Sequence, residues 1–141
     1  MAVLSSKDNM TELLVRPYRI REEGQPTWIL TEIILAHKKT QLVRTTITLT
    51  GDDLSGLIEL ARSFAEPGTE PSLELASTDD DFCLEIRAGR IQADRVVSCF
   101  IGDLYDLRRG FQFVTDTSRL LEFSARLKKD ALDLPSVGAL P

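Results

Sequence analysis

Side chains able to do acid–base, nucleophilic or metal chemistry are few in this chain. The single histidine, His37, stands beside Lys38 and Lys39, and no carboxylate is near it in the sequence to orient its ring. One histidine and two separated cysteines give none of the ligand spacings typical of zinc sites. The glycines are scattered at predicted turns rather than gathered in a phosphate-binding loop. We therefore expect no catalytic residue, no metal and no cofactor.

The two cysteines are expected to face opposite sides of a sheet. Cys83 alternates with the apolar residues of segment 82–86, which puts its thiol on the solvent side, whereas Cys99 belongs to an apolar inner set. An inert surface thiol is the preferred interpretation of Cys83, with a nucleophile as the alternative. No disulfide is expected, because the two side chains point apart.

Two segments are candidates for contact with a partner. Residues 79–81 are three consecutive aspartates at a predicted hairpin tip, without the alternating ligands of a calcium loop. Segment 102–109 interleaves apolar and charged residues, and its exposed apolar side chains need a cover, which could be the domain itself or a partner. The other aromatic candidates, Trp28 and Tyr18, lie in apolar strands and are expected to pack in the core. The candidate partner-binding residues are therefore Asp79, Asp80, Asp81, Asp103, Tyr105 and Asp106.

Length, composition and charge narrow the class of protein. The 141 residues suit one ordinary domain, and 43% hydrophobic with 28% charged residues is a globular composition. A net charge of −5 makes nucleic acid an unfavourable partner and a basic protein a better one. We expect no signal peptide and no membrane span, and a cytoplasmic location.

The hydrophobic periodicity predicts an α+β fold. Residues 43–49 alternate apolar and polar, as in a half-buried strand, and Pro17 indicates an edge position or a bulge in an earlier strand. Apolar residues at helical spacing predict helices near 53–66 and 117–132. The predicted strands lie within segments 11–23, 27–37, 43–49, 73–75, 82–88, 91–101 and 111–114.

Short turns between these strands require antiparallel neighbours, and two amphipathic helices need an apolar sheet face to cover. We therefore predict a two-layer sandwich, with one antiparallel sheet of about six or seven strands and both helices packed on one face. Residues 1–10 are predicted to be a flexible lead-in, 11–134 a single domain and 135–141 a flexible tail. No internal sequence repeat is evident.

Three stretches of the chain share a layout with a known family. They are Leu49-Thr50-Gly51-Asp52-Asp53-Leu54 with Leu57-Ile58-Glu59-Leu60, Glu70-Pro71-Ser72-Leu73-Glu74-Leu75, and Phe111-Gln112-Phe113 with Leu120-Leu121-Glu122-Phe123 and Leu127. The layout is a helix after a strand, a Glu-Pro-x-Leu strand entry, antiparallel strands and a C-terminal helix. In these features residues 40–132 resemble the WapI-type immunity proteins and related uncharacterised bacterial proteins.

The resemblance implies a protein that neutralises a bacterial toxin. The first hypothesis is therefore a non-catalytic protein-binding domain whose acidic surface meets a basic toxin domain. The second is an accessory or structural domain in a homo- or hetero-oligomer, joined through an exposed sheet face or edge. A small-molecule enzyme is the third.

Overall fold

The computed structural model describes residues 1–66, 72–102 and 109–135, which form eight strands and two helices. Both helices lie where the sequence predicts them. The elements are β1 (Ala2–Ser5), β2 (Thr11–Glu22), β3 (Trp28–His37), β4 (Thr40–Thr50), α1 (Gly51–Phe64), β5 (Ser72–Ala76), β6 (Phe82–Ala88), β7 (Asp94–Ile101), β8 (Arg109–Asp116) and α2 (Thr117–Leu132).

The strands form two antiparallel four-stranded sheets rather than one sheet of six or seven strands. The first sheet has the order β1-β2-β3-β4 and the second β5-β6-β7-β8. The α+β class and the antiparallel pairing are confirmed, whereas the single sheet was wrong. Helix α1 explains the difference, because it follows β4 and leads the chain to a new sheet instead of adding strands to the first.

The element order repeats, since each sheet of four strands is followed by a helix. Helix α1 packs against β5 and β6 of the second sheet, and α2 packs against β1 and β2 of the first. Each helix therefore covers the first two strands of the other half of the chain. One continuous apolar core results, with residues from both sheets and both helices. We call the core side of each sheet its inner face and the opposite side its outer face.

The first strand was missed by the sequence analysis, which assigned residues 1–10 to a flexible lead-in. Ala2 and Leu4 are fully buried, and β1 pairs along its length with β2. The Thr115 hydroxyl donates to the Ser5 carbonyl at 2.7 Å, which also ties β1 to the second sheet. A strand of four residues is too short to show a clear alternation. The predicted tail lies almost wholly in 136–141, outside the described residues.

The irregularity predicted at Pro17 is confirmed. The pairing of β2 with β3 shifts register between Pro17 and Arg19 and again between Ile20 and Glu22. Because proline has no backbone N–H for the ladder, a bulge accommodates it without losing a paired donor. Tyr18 is the residue of β2 left without a partner on β3 at the first of these shifts. No helix among the described residues has the length and apolar character needed to cross a membrane.

Candidate functional site

The outer face of the first sheet combines aromatic, apolar and arginine side chains. Along each strand, alternate residues enter the core and the remainder point outward. The strand register brings Leu14 opposite Ile34 and Leu30 opposite Thr48 on this outward side. We call this surface the first-sheet face; its members are Leu14, Arg16 and Tyr18 of β2, Trp28, Leu30, Glu32 and Ile34 of β3, and Arg44, Thr46 and Thr48 of β4.

Trp28 and Tyr18 belong to this outer surface and not to the core, so the expectation of core packing was wrong. Ile29 is buried, and the alternation of β3 places its neighbour Trp28 on the opposite side. The guanidinium carbon of Arg16 lies 4.8 Å from the centre of the Tyr18 ring, which fixes Tyr18 on the same side as Arg16. Both aromatic side chains are partly exposed.

Glu32 organises the centre of the first-sheet face. Arg16 donates from Nε to Oε1 of Glu32 at 3.1 Å, and Arg44 donates from Nε to Oε2 at 3.0 Å. The Glu32 side chain is 11% exposed, whereas those of Arg16 and Arg44 are 42% and 58% exposed. The mostly buried carboxylate thus fixes the positions of two more exposed guanidinium groups above it. Within the described residues, the terminal nitrogens of Arg16 have no hydrogen bond, so they stay available to a partner.

The charge state of Glu32 follows from opposing effects. Burial raises its pKa, but the hydrogen bonds from Arg44 and Arg16, aided by their positive charges, outweigh burial and hold the pKa below its usual value. Glu32 is therefore ionised at neutral pH. The three side chains together carry one net positive charge, on a face whose other members defined above are apolar, aromatic or threonine side chains. Arg19, opposite Leu30 in the register, adds a second positive charge.

The predicted acidic tip lies beside the N-terminus of α1. Thr78 donates to Asp53 from its backbone N–H at 3.1 Å and from its hydroxyl at 3.0 Å. Asp53 is the third helical residue of α1, where it completes a capping box with Thr50. The structure therefore ties the turn that carries residues 79–81 to the first turn of α1, which also carries the exposed Asp52, although the two segments are far apart in sequence.

The tip itself is a well-defined turn. Ser77 is buried and its hydroxyl donates to the Asp81 carboxylate at 2.8 Å, while the backbone N–H groups of Asp81 and Phe82 donate back to that hydroxyl. Asp80 has a φ of 58°, which completes the tight reversal. Asp79 is exposed. We call Asp52, Asp79, Asp80 and Asp81 the acidic edge.

Trp28 lies at the end of the first sheet from which α1 starts. This residue pairs with Glu22 of β2 and with Thr50 of β4, the residue that caps α1. The backbone N–H of Gly51 donates to the Thr27 carbonyl at 3.0 Å, which closes the gap between β3 and the helix start. The start of α1, which carries Asp52 and holds the turn with residues 79–81, therefore lies at the same end of the first sheet as Trp28.

The remaining candidate residues, Asp103, Tyr105 and Asp106, lie outside the described residues. The chain leads toward them from the same end of the second sheet, because the Gly102 backbone N–H donates to the Asp81 carbonyl at 2.9 Å.

The side chains able to do acid–base, nucleophilic or metal chemistry, namely His37, Cys83 and Cys99, do not form a cluster. The His37 ring lies on the surface, where its Nδ1 is 2.9 Å from the Thr11 hydroxyl. Cys83 and Cys99 are thiols, and the register puts them on opposite faces as predicted, since Cys83 pairs with Phe100 and Leu84 with Cys99. Cys83 is only 8% exposed, however, so the expected surface thiol is in fact covered.

Burial raises the pKa of the Cys99 thiol to about 12, with a smaller contribution from nearby Cys83. Among the described residues, no group of three or more histidine, cysteine or acidic side chains could hold a metal ion. A groove of about 530 Å³ lies between the two helices, with Ile58 and Leu121 among its apolar lining and Arg62 at its rim. Arg62 is already paired with Glu59 of its own helix and with Glu66 just beyond the helix end. The lining also includes the polar side chains of Ser55, Ser124 and Lys128, and the Ser124 hydroxyl donates to the Ile58 carbonyl at 2.8 Å.

Comparison with known proteins shows a likeness of fold. No protein-family model matches the chain. No curated protein matches it either. Among solved structures, the fold is similar to that of the plant transcriptional regulator PBF-2, with a TM-score of 0.52 and 10% sequence identity. The match covers 85% of this chain and 74% of that chain. At this identity the likeness supports the α+β architecture alone.

Proposed function

We propose that this chain is a non-catalytic protein-binding domain that neutralises a basic toxin domain, as its resemblance to WapI-type immunity proteins implies. The observation that carries the proposal is the first-sheet face, with the acidic edge at the end of the same sheet where Trp28 lies. An aromatic and arginine-rich centre beside a charged rim is the usual composition of a protein interface.

The first-sheet face would supply most of the binding free energy. Tryptophan, tyrosine and arginine are the residues most enriched at interface hot spots. Trp28, Tyr18 and Arg16 occur here on a rigid sheet, and Arg16 is held by Glu32 and stacked on the Tyr18 ring. Side chains already held in place lose little conformational entropy on binding, so the surface is suited to a tight complex.

The acidic edge would act mainly on the rate of association. Its carboxylates surround the start of α1, and the nearby turn between β2 and β3 adds Glu22 and Glu23. A concentration of negative charge draws a basic partner over about one Debye length, roughly 8–10 Å at physiological salt. This effect weakens as salt increases.

Single-stranded nucleic acid is the competing partner, because aromatic and arginine side chains on an open sheet also suit base stacking and phosphate contact. Residues 10–50 carry six lysines and arginines against four acidic residues, so this part of the chain is less acidic than the whole. The acidic edge opposes a polyanion at one end of the same surface, which favours a protein partner. PBF-2 is named a transcriptional regulator, and that name says nothing of this chain's ligand.

The experiment begins with a toxin domain encoded beside this chain's gene. Co-expression should restore growth of cells producing the toxin, and an inactive toxin variant should bind the purified chain. The double variant Asp52→Asn with Asp79→Asn should associate several-fold more slowly at low salt and nearly normally at high salt. The matched control, Glu122→Gln with Asp133→Asn, removes the same charge from exposed positions in and just after α2 and should change the rate little.

Two results would contradict the proposal. Equal slowing by both double variants would show that net charge, and not the acidic edge, steers the partner. Tight, salt-dependent binding of labelled single-stranded oligonucleotides, lost in Trp28→Ala, would assign the first-sheet face to nucleic acid instead.

A further inference from the structure

The outer edge of β4 differs from the other sheet edges of the molecule. β4 has eleven residues and pairs with β3 on one side, and no strand of the described residues pairs with its other side. The edge strands β1 and β5 have four and five residues. At the edge of β8, the Val114 carbonyl accepts from the Lys7 backbone N–H at 2.8 Å. Among the edge strands of the described residues, β4 therefore offers the longest row of backbone donors and acceptors.

The sequence of β4 lacks the features that normally protect a sheet edge. Such edges carry lysine, proline, inward-pointing charge or a bulge that breaks the pairing. β4 contains five threonines and a single charged residue, Arg44, which points outward. The irregularity in its pairing with β3 lies opposite Leu35 and Ala36, so the stretch 43–49 is regular.

The inner side of β4 is incompletely covered. Val43 and Thr45 lie on the same side as the buried Ile47 and Leu49, yet both remain half-buried. These side chains are exposed toward the unpaired edge of β4, because β3 pairs with the opposite edge along its whole length. A further strand placed there would bury these side chains and pair the exposed backbone groups.

We propose that β4 pairs antiparallel with β4 of a second copy of this chain, about a two-fold axis at Thr46. Thr46 is the centre of the regular stretch 43–49. In this register Val43 lies opposite Leu49 and Thr45 opposite Ile47, so apolar and threonine side chains meet on the inner face.

The position of Arg44 makes the contact compatible with two-fold symmetry. In a two-fold contact the same strand of both copies pairs antiparallel, so its side chains must be compatible with those of an identical strand running in the opposite direction. On the outer face, Arg44 lies opposite Thr48 and Thr46 opposite its own copy, so the only charge of the strand never faces itself. Like charges directly opposite destabilise a sheet, whereas threonine pairs are favourable. The strand is therefore complementary to itself without any change in sequence.

The dimer would contain one continuous eight-stranded sheet. Residues directly opposite each other in an antiparallel pair point to the same side of the sheet. The first-sheet faces of the two copies would therefore lie side by side on one face of the eight-stranded sheet. This inference is independent of the proposed function, since dimerisation can be measured without any toxin.

The test is sedimentation equilibrium of the purified chain at concentrations up to the millimolar range. A reversible increase from the 15.8 kDa monomer to twice that mass is expected. Thr48→Glu should strengthen the dimer, because each introduced carboxylate faces Arg44 of the other copy. Thr48→Lys should weaken it through two opposed like charges, and the dissociation constants of the two variants should differ on the order of tenfold.

Gln112→Glu and Gln112→Lys are the matched controls, since Gln112 is exposed on the outer face of the second sheet. They should leave the dissociation constant unchanged, and circular dichroism should confirm that every variant is folded. A monomer at all concentrations would overturn the proposal. A dimer insensitive to the charge at position 48, or equally sensitive at position 112, would also overturn it.

Discussion

Replacing Asp53 by alanine should lower the free energy of unfolding by about 3 kcal/mol. Asp53 is 7% exposed, and its carboxylate accepts three hydrogen bonds. Oδ2 accepts from the backbone N–H of Thr50 at 3.0 Å and of Thr78 at 3.1 Å, and Oδ1 accepts from the Thr78 hydroxyl at 3.0 Å. This one side chain therefore joins the start of α1 to the acidic tip of the second sheet.

The magnitude depends on whether each hydrogen-bond donor to Asp53 can bond to water after the substitution. Thr50 is buried, so its N–H would lose its acceptor without access to water, which costs about 2 kcal/mol. Thr78 is exposed and can bond to water, so losing its link to α1 costs about 1 kcal/mol. The Thr50 hydroxyl still accepts from the N–H of residue 53, so the other half of the capping box survives.

Urea denaturation followed by circular dichroism measures this change. The matched control is Asp52→Ala, because Asp52 is an exposed acidic neighbour in the same helical turn. Its removal should cost less than about 1 kcal/mol through the helix dipole alone. Losses for Asp53→Ala as small as those for Asp52→Ala would refute the bridging role of Asp53.

Three further outcomes test other parts of the structure. Leu4→Ala should lower the free energy of unfolding by about 2–5 kcal/mol because Leu4 is fully buried, whereas Val3→Ala should change it little; equal effects would mean that β1 is not part of the core. Glu32→Gln should destabilise at neutral pH, and because the folded pKa of Glu32 lies below its usual 4.5, the difference from wild type should persist above pH 4.5 and shrink as the pH falls through the folded value. A difference as large in strong acid as at neutral pH would contradict the ion-pair account. The pKa of Cys99 near 12 predicts that a thiol reagent at pH 8 labels Cys99 only in urea; rapid labelling of the native protein would show that the site opens.

The local elements of this fold could be predicted from sequence because their signals are periodic. The helical spacing of Leu54, Leu57 and Phe64 and the alternation in segment 43–49 each report on neighbours within a few residues. The division into two sheets could not be predicted in the same way. Strand pairing joins residues distant in sequence, and the same alternation fits one sheet or two.

The first-sheet face was missed because β3 is apolar on both sides. Trp28, Leu30 and Ile34 point outward, whereas Ile29 and Ile33 point inward, so the strand shows almost no alternation. Glu32 was the one residue of β3 whose type could have indicated an outward-facing side of the strand. A carboxylate within an apolar strand must face outward or be paired, and here it does both, between two arginines.

The acidic edge illustrates what tertiary structure adds to a correct local prediction. The turn at residues 79–81 was predicted from its composition. Its position beside Asp52 depends on the hydrogen bonds between Thr78 and Asp53, which no local pattern shows. Together with the pairing of Trp28 and Thr50, these hydrogen bonds bring the turn to the end of the first sheet where Trp28 lies.

The dissociation rate of the toxin complex in the Trp28→Ala variant tests the central claim most directly. Trp28 is a partly exposed aromatic side chain of the first-sheet face, at the end from which α1 starts. Loss of its ring should cost on the order of 2 kcal/mol, or roughly thirty-fold faster dissociation. Phe100→Ala is the matched control, because Phe100 is 40% exposed on the outer face of the second sheet. The account predicts fast dissociation for Trp28→Ala and an unchanged rate for Phe100→Ala. An unchanged rate for Trp28→Ala in a folded protein would contradict it.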